Sequence, residues 1–226
     1  MVTRPAAKVL ICFYSRYGTT ARLAEAIAEG ACMIPPDEVR IRRIPDIEPD
    51  EVIRQDARWW RARAELAETY PEPLLEDLAW SNAVILGSPG HFGSMAAAVK
   101  YWLERTLSPW RQDEIEEKAG AAFTSTATAH GGSEATIFSL LTALMHLGFV
   151  ITPSGYVLPR LGSNQCPYGA TAVTGADHEF PPTATELAAA RSLGFRVSHV
   201  ARCLLAGQEM ESFRRRHQYL VAGPSE

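Results

Sequence analysis

The sequence has little of the chemistry that marks thiol, metal or hydrolytic sites. Its four cysteines, Cys12, Cys32, Cys166 and Cys203, are scattered and form no Cys-x-x-Cys pair, so neither a zinc site nor a redox dithiol is indicated. Cys12 in a strand and Cys203 in a helical segment read as small buried hydrophobes, with the thiols reduced as in a cytoplasm. His91, His130 and His146 lack helix-ligand spacing and an accompanying carboxylate cluster, so no metal is expected. Ser88 and Ser125 do not sit in a Gly-x-Ser-x-Gly elbow, which argues against a hydrolase of that type. No apolar run approaches the ~20 residues of a membrane span. A net charge of −4 without a long basic run argues against nucleic acid as the main partner. Met1 to Lys8 leads into the first strand without a signal-peptide pattern, and no internal repeat is visible.

What is present is an ordinary globular composition over 226 residues, 46% hydrophobic and 21% charged, long enough for a substantial core. The run Val9 to Tyr14 is apolar and leads into Ser15-Arg16-Tyr17-Gly18-Thr19-Thr20, and a helical pattern with Leu23 and Ile27 leads out. A strand that turns through hydroxyls and glycine into a helix is a phosphate cradle. The first helical amides lack partners, the dipole makes that end partly positive, and Ser15, Thr19 and Thr20 add side-chain donors. The turn holds no Lys, so it is not a Walker loop, and it is not the Gly-x-Gly-x-x-Gly dinucleotide fingerprint. An ordinary capped turn fits this stretch alone equally well.

Further on, Val39 to Ile44 alternates as a half-exposed strand near an edge. A segment of different composition (45–73) follows, with a short helix at Ala57–Leu66 whose Trp59 and Trp60 are expected to cover a hydrophobic edge of this chain or of a neighbouring subunit. Leu74 to Trp80 reads as a helical turn and Ala83–Leu86 as a central strand. Helices are expected from about Met95 to Leu107, from Ser133 to about Leu147 and from Thr183 to about Ala206, and strands at Ala121–Phe123, Phe149–Ile151 and Thr171–Thr174. Thr183 and Glu186 form a capping-box pattern. The irregular stretch 152–170 is long enough to be functional or to pack on a partner. The organisation expected is an N-terminal tail (1–7), one domain (8–206) and a charged C-terminal tail (207–226).

Alternating strands and helices predict a three-layer, doubly wound α/β domain with a parallel five-stranded sheet. Its ligand site would lie at the carboxyl edge. Three loops there are rich in Gly, Ser, Thr, Tyr and His: Ser15–Thr20, Ser88–Ser94 and Ser125–Gly132. Their convergence favours the cradle over the plain cap, with a phosphate on the first loop and a flat polar ring system on the other two.

Six ordered motifs then carry a resemblance: Tyr-Ser-x-Tyr-Gly at Tyr14–Gly18, Gly-Ser-Pro-x-x-Phe-Gly-x-Met at Gly87–Met95, Phe-x-Ser-Thr-x-Thr at Phe123–Thr128, His-x-Gly at His146–Gly148, Pro-Tyr-Gly-Ala-Thr at Pro167–Thr171 and Glu-Leu-x-x-Ala-Arg at Glu186–Arg191. Over roughly Lys8 to His199 the chain resembles flavodoxin-like proteins of the WrbA type, FMN-dependent NAD(P)H:quinone oxidoreductases. The resemblance implies FMN phosphate on Ser15, Arg16, Tyr17, Gly18, Thr19 and Thr20. It implies a flavin ring against Gly90, His91, Phe92 and Gly93, and against Ser125, Thr126, Ala127, Thr128, Ala129, His130 and Gly131. His146 resembles a catalytic histidine reaching the flavin across a subunit boundary; a structural histidine at a helix end is the alternative. Tyr17 resembles a nicotinamide contact and Trp110 an aromatic wall for the quinone. NADH or NADPH as co-substrate and a homotetramer, a dimer of dimers, are further implications. The family's Pro-Thr-Arg-Phe-Gly is altered at Gly90 and His91, its third loop is lengthened around His130, and the Trp59-Trp60 segment is atypical. A non-enzymatic electron carrier and a flavin reductase acting on a specialised aromatic metabolite stand as alternatives.

Overall fold

The computed structural model describes residues 6–35, 37–106, 117–156 and 166–208. Five parallel positions form the sheet, in the order β2 (Glu38–Arg43), β1 (Lys8–Phe13), β3 (Ala83–His91), β5 (Ala119–Thr126), and then a final position shared by two short strands. Of these two, β6 (Val150–Ile151) pairs with the start of β5 and β7 (Ala170–Val173) with its end. The long stretch expected after residue 151 thus interrupts the last strand. The short β4 (Ser94–Met95) folds back antiparallel on β3. The order reverses between β1 and β3, the switch point at which a doubly wound sheet opens a crevice.

From Val9 onward β1 is apolar and buried because both of its faces are covered. Val9, Ile11 and Phe13 pack with Ile85 and Phe123 under α1 (Thr19–Ala31) and α7 (Ala184–Gln208). Leu10, Cys12 and Leu86 face the opposite layer. It is made of α4 (Leu75–Trp80), α5 (Ala97–Glu104) and α6 (Ser133–His146), which bury Leu78, Val99, Trp102, Ile137 and Leu140. α1 and α7 touch backbone to backbone: a Cβ on Gly30 would lie 1.9 Å from the Arg191 carbonyl oxygen, and one on Gly194 would lie 1.9 Å from that of Ile27. Only glycine permits that approach. Thr183 caps α7 as expected, its N–H donating to Glu186 Oε2 at 2.6 Å while Glu186 N–H donates back to Thr183 Oγ1 at 3.3 Å.

β2 lies at the edge, paired among the described residues only with β1. Several boundaries differ from expectation. β3 and β5 run five and three residues further in, through Gly87–His91 and Thr124–Thr126, and β5 also begins earlier at Ala119. Gly, Ser, Thr and Pro lower strand propensity, and in-register pairing from Ala83↔Ala119 to Pro89↔Ser125 overrides it. The 45–73 segment holds α2 (Asp50–Ile53) and a longer helix than expected, α3 (Ala57–Thr69). All four cysteines are free; Cys12 is buried as anticipated, Cys166 is half-buried, and Cys32, in the turn that ends α1, and Cys203, on α7, are exposed. Leu107, Trp110 and most of both tails lie outside the described residues.

Candidate functional site

The three loops meet in a cleft of ≈ 520 Å³ at the carboxyl edge of the sheet, within the size range of small-molecule sites. The first loop contributes Ser15, Arg16, Tyr17, Thr19 and Thr20, β3 and its turn contribute Gly90, His91 and Phe92, and β5 contributes Ser125, Thr126 and Ala127. Gly18 and Gly93 shape the turns and do not line the cleft, and Gly131 closes a turn onto the Thr128 carbonyl at 2.9 Å. Thr128, Ala129 and His130 are exposed outside it. The expected ring wall on the third loop is therefore only its first three residues. The later ones leave the sheet edge once β5 ends at Thr126.

α1 begins at the cleft with Gly18 in a left-handed conformation (φ 99°), no side-chain cap and no acidic residue in its first turn. Its free amides and positive dipole end therefore face the cleft without a competing anion. Ser15 Oγ accepts from Gly18 N–H at 3.0 Å, and the buried hydroxyls of Thr20 and Ser125 bond at 2.9 Å, tying the first loop to the third. No carboxylate lines the cleft among the described residues. A donor-rich, carboxylate-free helix end, with the buried Arg16 Nε lacking a protein partner, fits a flavin mononucleotide phosphate.

The second loop is a tight hairpin whose tip, Phe92-Gly93, has φ of 53° and 74°, the two-residue turn that suits twisted strands. It carries the Phe92 ring fully into solvent. A Cβ on Gly90 would come within 2.8 Å of Thr126 Cγ2 and 2.9 Å of Thr136 Oγ1. Gly at this position is what lets the hairpin lie flat on β5 and α6. His91 beside it is held below the ordinary histidine pKa, first by burial, then by the positive field of Arg16 and, once that ring takes a proton, of His178.

Two further cleft residues, Thr174 and His178, come from a fourth loop, after β7, that composition did not single out. The His178 ring stacks on Tyr17 with centroids 4.6 Å apart, and its Nδ1 lies 3.0 Å from Thr174 Oγ1. Burial, then Arg58 and Arg16, hold its pKa below the ordinary value. The sequence signal was its position, immediately beyond the last strand on the same sheet edge. The atypical helical segment also reaches Tyr17. Asp56 caps α3 by accepting from the Arg58 and Trp59 amides and also takes the Tyr17 hydroxyl at 2.7 Å. Burial and this hydrogen bond hold the Tyr17 phenol above its ordinary pKa.

Trp59 is buried, as expected of a side chain covering an edge of its own protein, while Trp60 is partly exposed between Arg54 and Arg63. The Trp59 indole N–H donates to Asp46 Oδ1 at 2.7 Å, and the Arg16 guanidinium lies 4.1 Å over its ring. Asp46 Oδ1 also takes the Tyr14 hydroxyl at 2.9 Å, and Oδ2 pairs closely with Arg43.

His146 is not brought to this cleft. It ends α6, whose start lies beside the cleft, so its position is thirteen helical rises away from that start, roughly 20 Å. Trp110 falls outside the described residues.

A parallel sheet with this strand order and a phosphate-type cradle at its switch point defines a flavodoxin-like protein. Residues 9–161 match the family model for NADPH-dependent FMN reductase, and the chain belongs to that family. It is 38% identical over 200 residues to a protein of Methylocella silvestris named NAD(P)H dehydrogenase (quinone), covering 86% of this chain and 97% of that one. It is 36% identical over 206 residues to one of the same name from Aromatoleum aromaticum, covering 89% and 99%. Among solved structures, a flavodoxin, WrbA-like protein from Agrobacterium tumefaciens superposes with a TM-score of 0.61 at 22% identity, over 87% of this chain and 98% of that chain. At that identity the likeness speaks for the fold.

Proposed function

We propose that this protein catalyses the FMN-dependent two-electron reduction of quinones by NADH or NADPH. The observation that carries the reading is the meeting, in one cleft, of an uncapped helix end, three loops of donors and a set of aromatic walls. The curated relatives' shared name supports the same activity. FMN, when bound here, would supply the hard chemistry, the transfer of a hydride between nicotinamide and quinone.

The chain's residues do the rest. The Thr19 and Thr20 end of α1 and the Ser15 hydroxyl hold the phosphate. Tyr17, fixed by Asp56 and His178, offers a stacking wall for the nicotinamide and then for the acceptor, so both substrates use one face in turn and the kinetics are ping-pong. Phe92 offers a second flat surface at the hairpin tip, and Trp110 a third for the quinone. Backbone amides of Gly90, His91 and Phe92 would supply donors to negative charge on the bound ring. The product quinol needs a proton. His178 and His91 line the cleft and are neutral near pH 7, so each can relay a proton from solvent. His146 serves a cleft only from a second copy. We place it in a homotetramer, supported by the exposed Phe138, Met145 and Tyr168 on and beside α6. The free thiols and the dinucleotide co-substrate support a cytoplasmic setting.

Anaerobic titration tests the reading. The FMN-loaded protein should lose its visible flavin band on adding NADH or NADPH and regain it with benzoquinone. A flavin that stays oxidised under both nucleotides overturns the enzyme, and one that bleaches without recovering overturns the quinone.

A further inference from the structure

The rim of the cleft carries two arginines that the protein leaves outside its salt bridges. Arg40 and Arg42 pair with Asp77, Arg43 with Asp46, and Arg54 and Arg63 with Asp50. Arg16 and Arg58 make no salt bridge among the described residues, and Arg58 acts on the Asp56 carboxylate only through its field. Both are instead fixed on aromatic rings. Arg16 lies over Trp59, and Arg58 lies 5.3 Å over Tyr17 while its Nη2 donates to the His178 carbonyl at 3.2 Å.

The carboxylates nearby are already committed. Asp56 gives Oδ1 to two α3 amides and Oδ2 to Tyr17. Asp46 gives its oxygens to Tyr14, Trp59 and Arg43. Asp177 and Glu179 flank His178 on the solvent side, where Glu179 Oε2 accepts from the Asp177 amide at 3.0 Å. Their effect on His178 ranks below that of the two arginines. The imidazoles of His91 and His178, kept neutral, add no charge of their own. The Arg16 guanidinium on Trp59 and the exposed guanidinium of Arg58 on Tyr17 therefore flank the same stacking wall. A guanidinium whose plane is set by an aromatic ring has lost little further freedom when it meets a planar oxyanion.

We propose that Arg16 and Arg58 form an oxyanion-recognising rim beside Tyr17, so that the preferred acceptor is a planar quinone bearing an anionic substituent such as a carboxylate or sulfonate. This rests on the quinone-reductase reading above and adds a substrate class to it. Two other molecules at the site carry oxyanions, the dinucleotide and FMN, and the experiment separates all three.

Holoenzyme and the variants Arg58→Gln, Arg58→Lys and Arg16→Gln are compared with 1,2-naphthoquinone-4-sulfonate and with unsubstituted 1,2-naphthoquinone. Taking each variant against the parent cancels the difference in potential between the two quinones. The ratio of kcat/KM for the sulfonate to that for the neutral quinone should fall about tenfold in both Gln variants, through KM, with Arg58→Lys in between. In the parent, the KM for the sulfonate should rise with KCl. Binding of 2-naphthalenesulfonate, read from the flavin absorbance, should weaken in parallel. That arm needs no turnover, so the rim is judged even if neither quinone is reduced, an outcome that would count against the enzyme reading instead. An unchanged ratio and unchanged sulfonate binding overturn the rim. It is overturned equally by a rise in dinucleotide KM common to both acceptors, which assigns the oxyanion to the dinucleotide. A loss of FMN affinity without a loss of riboflavin affinity overturns it too, by assigning the oxyanion to the cofactor.

Discussion

Asp46 is the point at which stability and site geometry are most closely joined, and two substitutions there separate them. Its side chain is 1% exposed and faces the Arg43 side chain, itself 4% exposed. Oδ2 takes Arg43, with Arg63 3.9 Å away, whereas Oδ1 takes the Tyr14 hydroxyl and the Trp59 indole. Asp46→Asn keeps an oxygen for Tyr14 and Trp59 but turns an NH₂ toward a buried guanidinium, so it removes the ion pair alone. Breaking one partner out of a buried pair costs about 3–5 kcal/mol. In a domain of this size that lowers Tm by about 10 °C. Asp46→Ala also orphans a buried hydroxyl and indole N–H, each costing about 1–3 kcal/mol. The two terms are not additive, because Trp59 can shift once freed. Urea denaturation followed by far-UV circular dichroism gives both stabilities, and FMN titration of the apoprotein reads the site. The expectation is that Asn loses stability while FMN affinity holds within about threefold, since Trp59 still carries Arg16. Ala should lose both. An Asn variant within about 1 kcal/mol of the parent refutes the buried ion pair as a determinant of stability. An Ala variant with normal FMN affinity refutes the chain from Asp46 through Trp59 to the cleft.

Two other expectations concern the cradle and the histidines. Thr20→Val removes one of the two buried hydroxyls that join the first and third loops; FMN binding should weaken about tenfold with riboflavin binding little changed, as measured by quenching of flavin fluorescence. His91 and His178 have folded pKa values below the ordinary 6.5, so the unfolded chain takes up their protons first as pH falls. Their contribution to stability is full above pH 6.5 and declines as pH drops from there toward the folded values. Thermal melts across that window should show the decline, and it should be shallower in His178→Asn.

The sheet, the helix alternation and the three loops were legible because they rest on short-range patterns: continuous apolar runs, hydroxyl-rich turns and a capping box at Thr183. The lengths of β3 and β5 were not. Gly87, Ser88 and Pro89 carry turn chemistry, and only pairing with β5 holds them extended. The cradle at Ser15–Thr20 was legible for the same local reason. Its roof was not, because Tyr17 is held by Asp56 and His178, 39 and 161 positions away, and no periodicity joins those residues. Composition flagged Trp59 as unusual, yet its link to Arg16 through a stacked ring is a tertiary fact. His130 attracted attention by its residue type and lies outside the cleft, while His178 lay in a loop without a glycine-rich signature and lines it.

The glycine contact between α1 and α7 also sets a timetable for synthesis. Gly30 and Gly194 are separated by roughly 160 residues, about 10–30 s of translation at bacterial rates. Throughout that interval the face of α1 that will receive α7 has no cover, and Ala24, Ile27 and Ala31 meet water or whatever binds nascent chains. The approach to the Ile27 carbonyl at this point admits only a residue without a side chain, and Gly194 supplies it. The newborn protein therefore completes this layer of its core only when α7 emerges, and a message truncated before residue 194 encodes a chain with that layer unsealed, a ready substrate for chaperones and proteases.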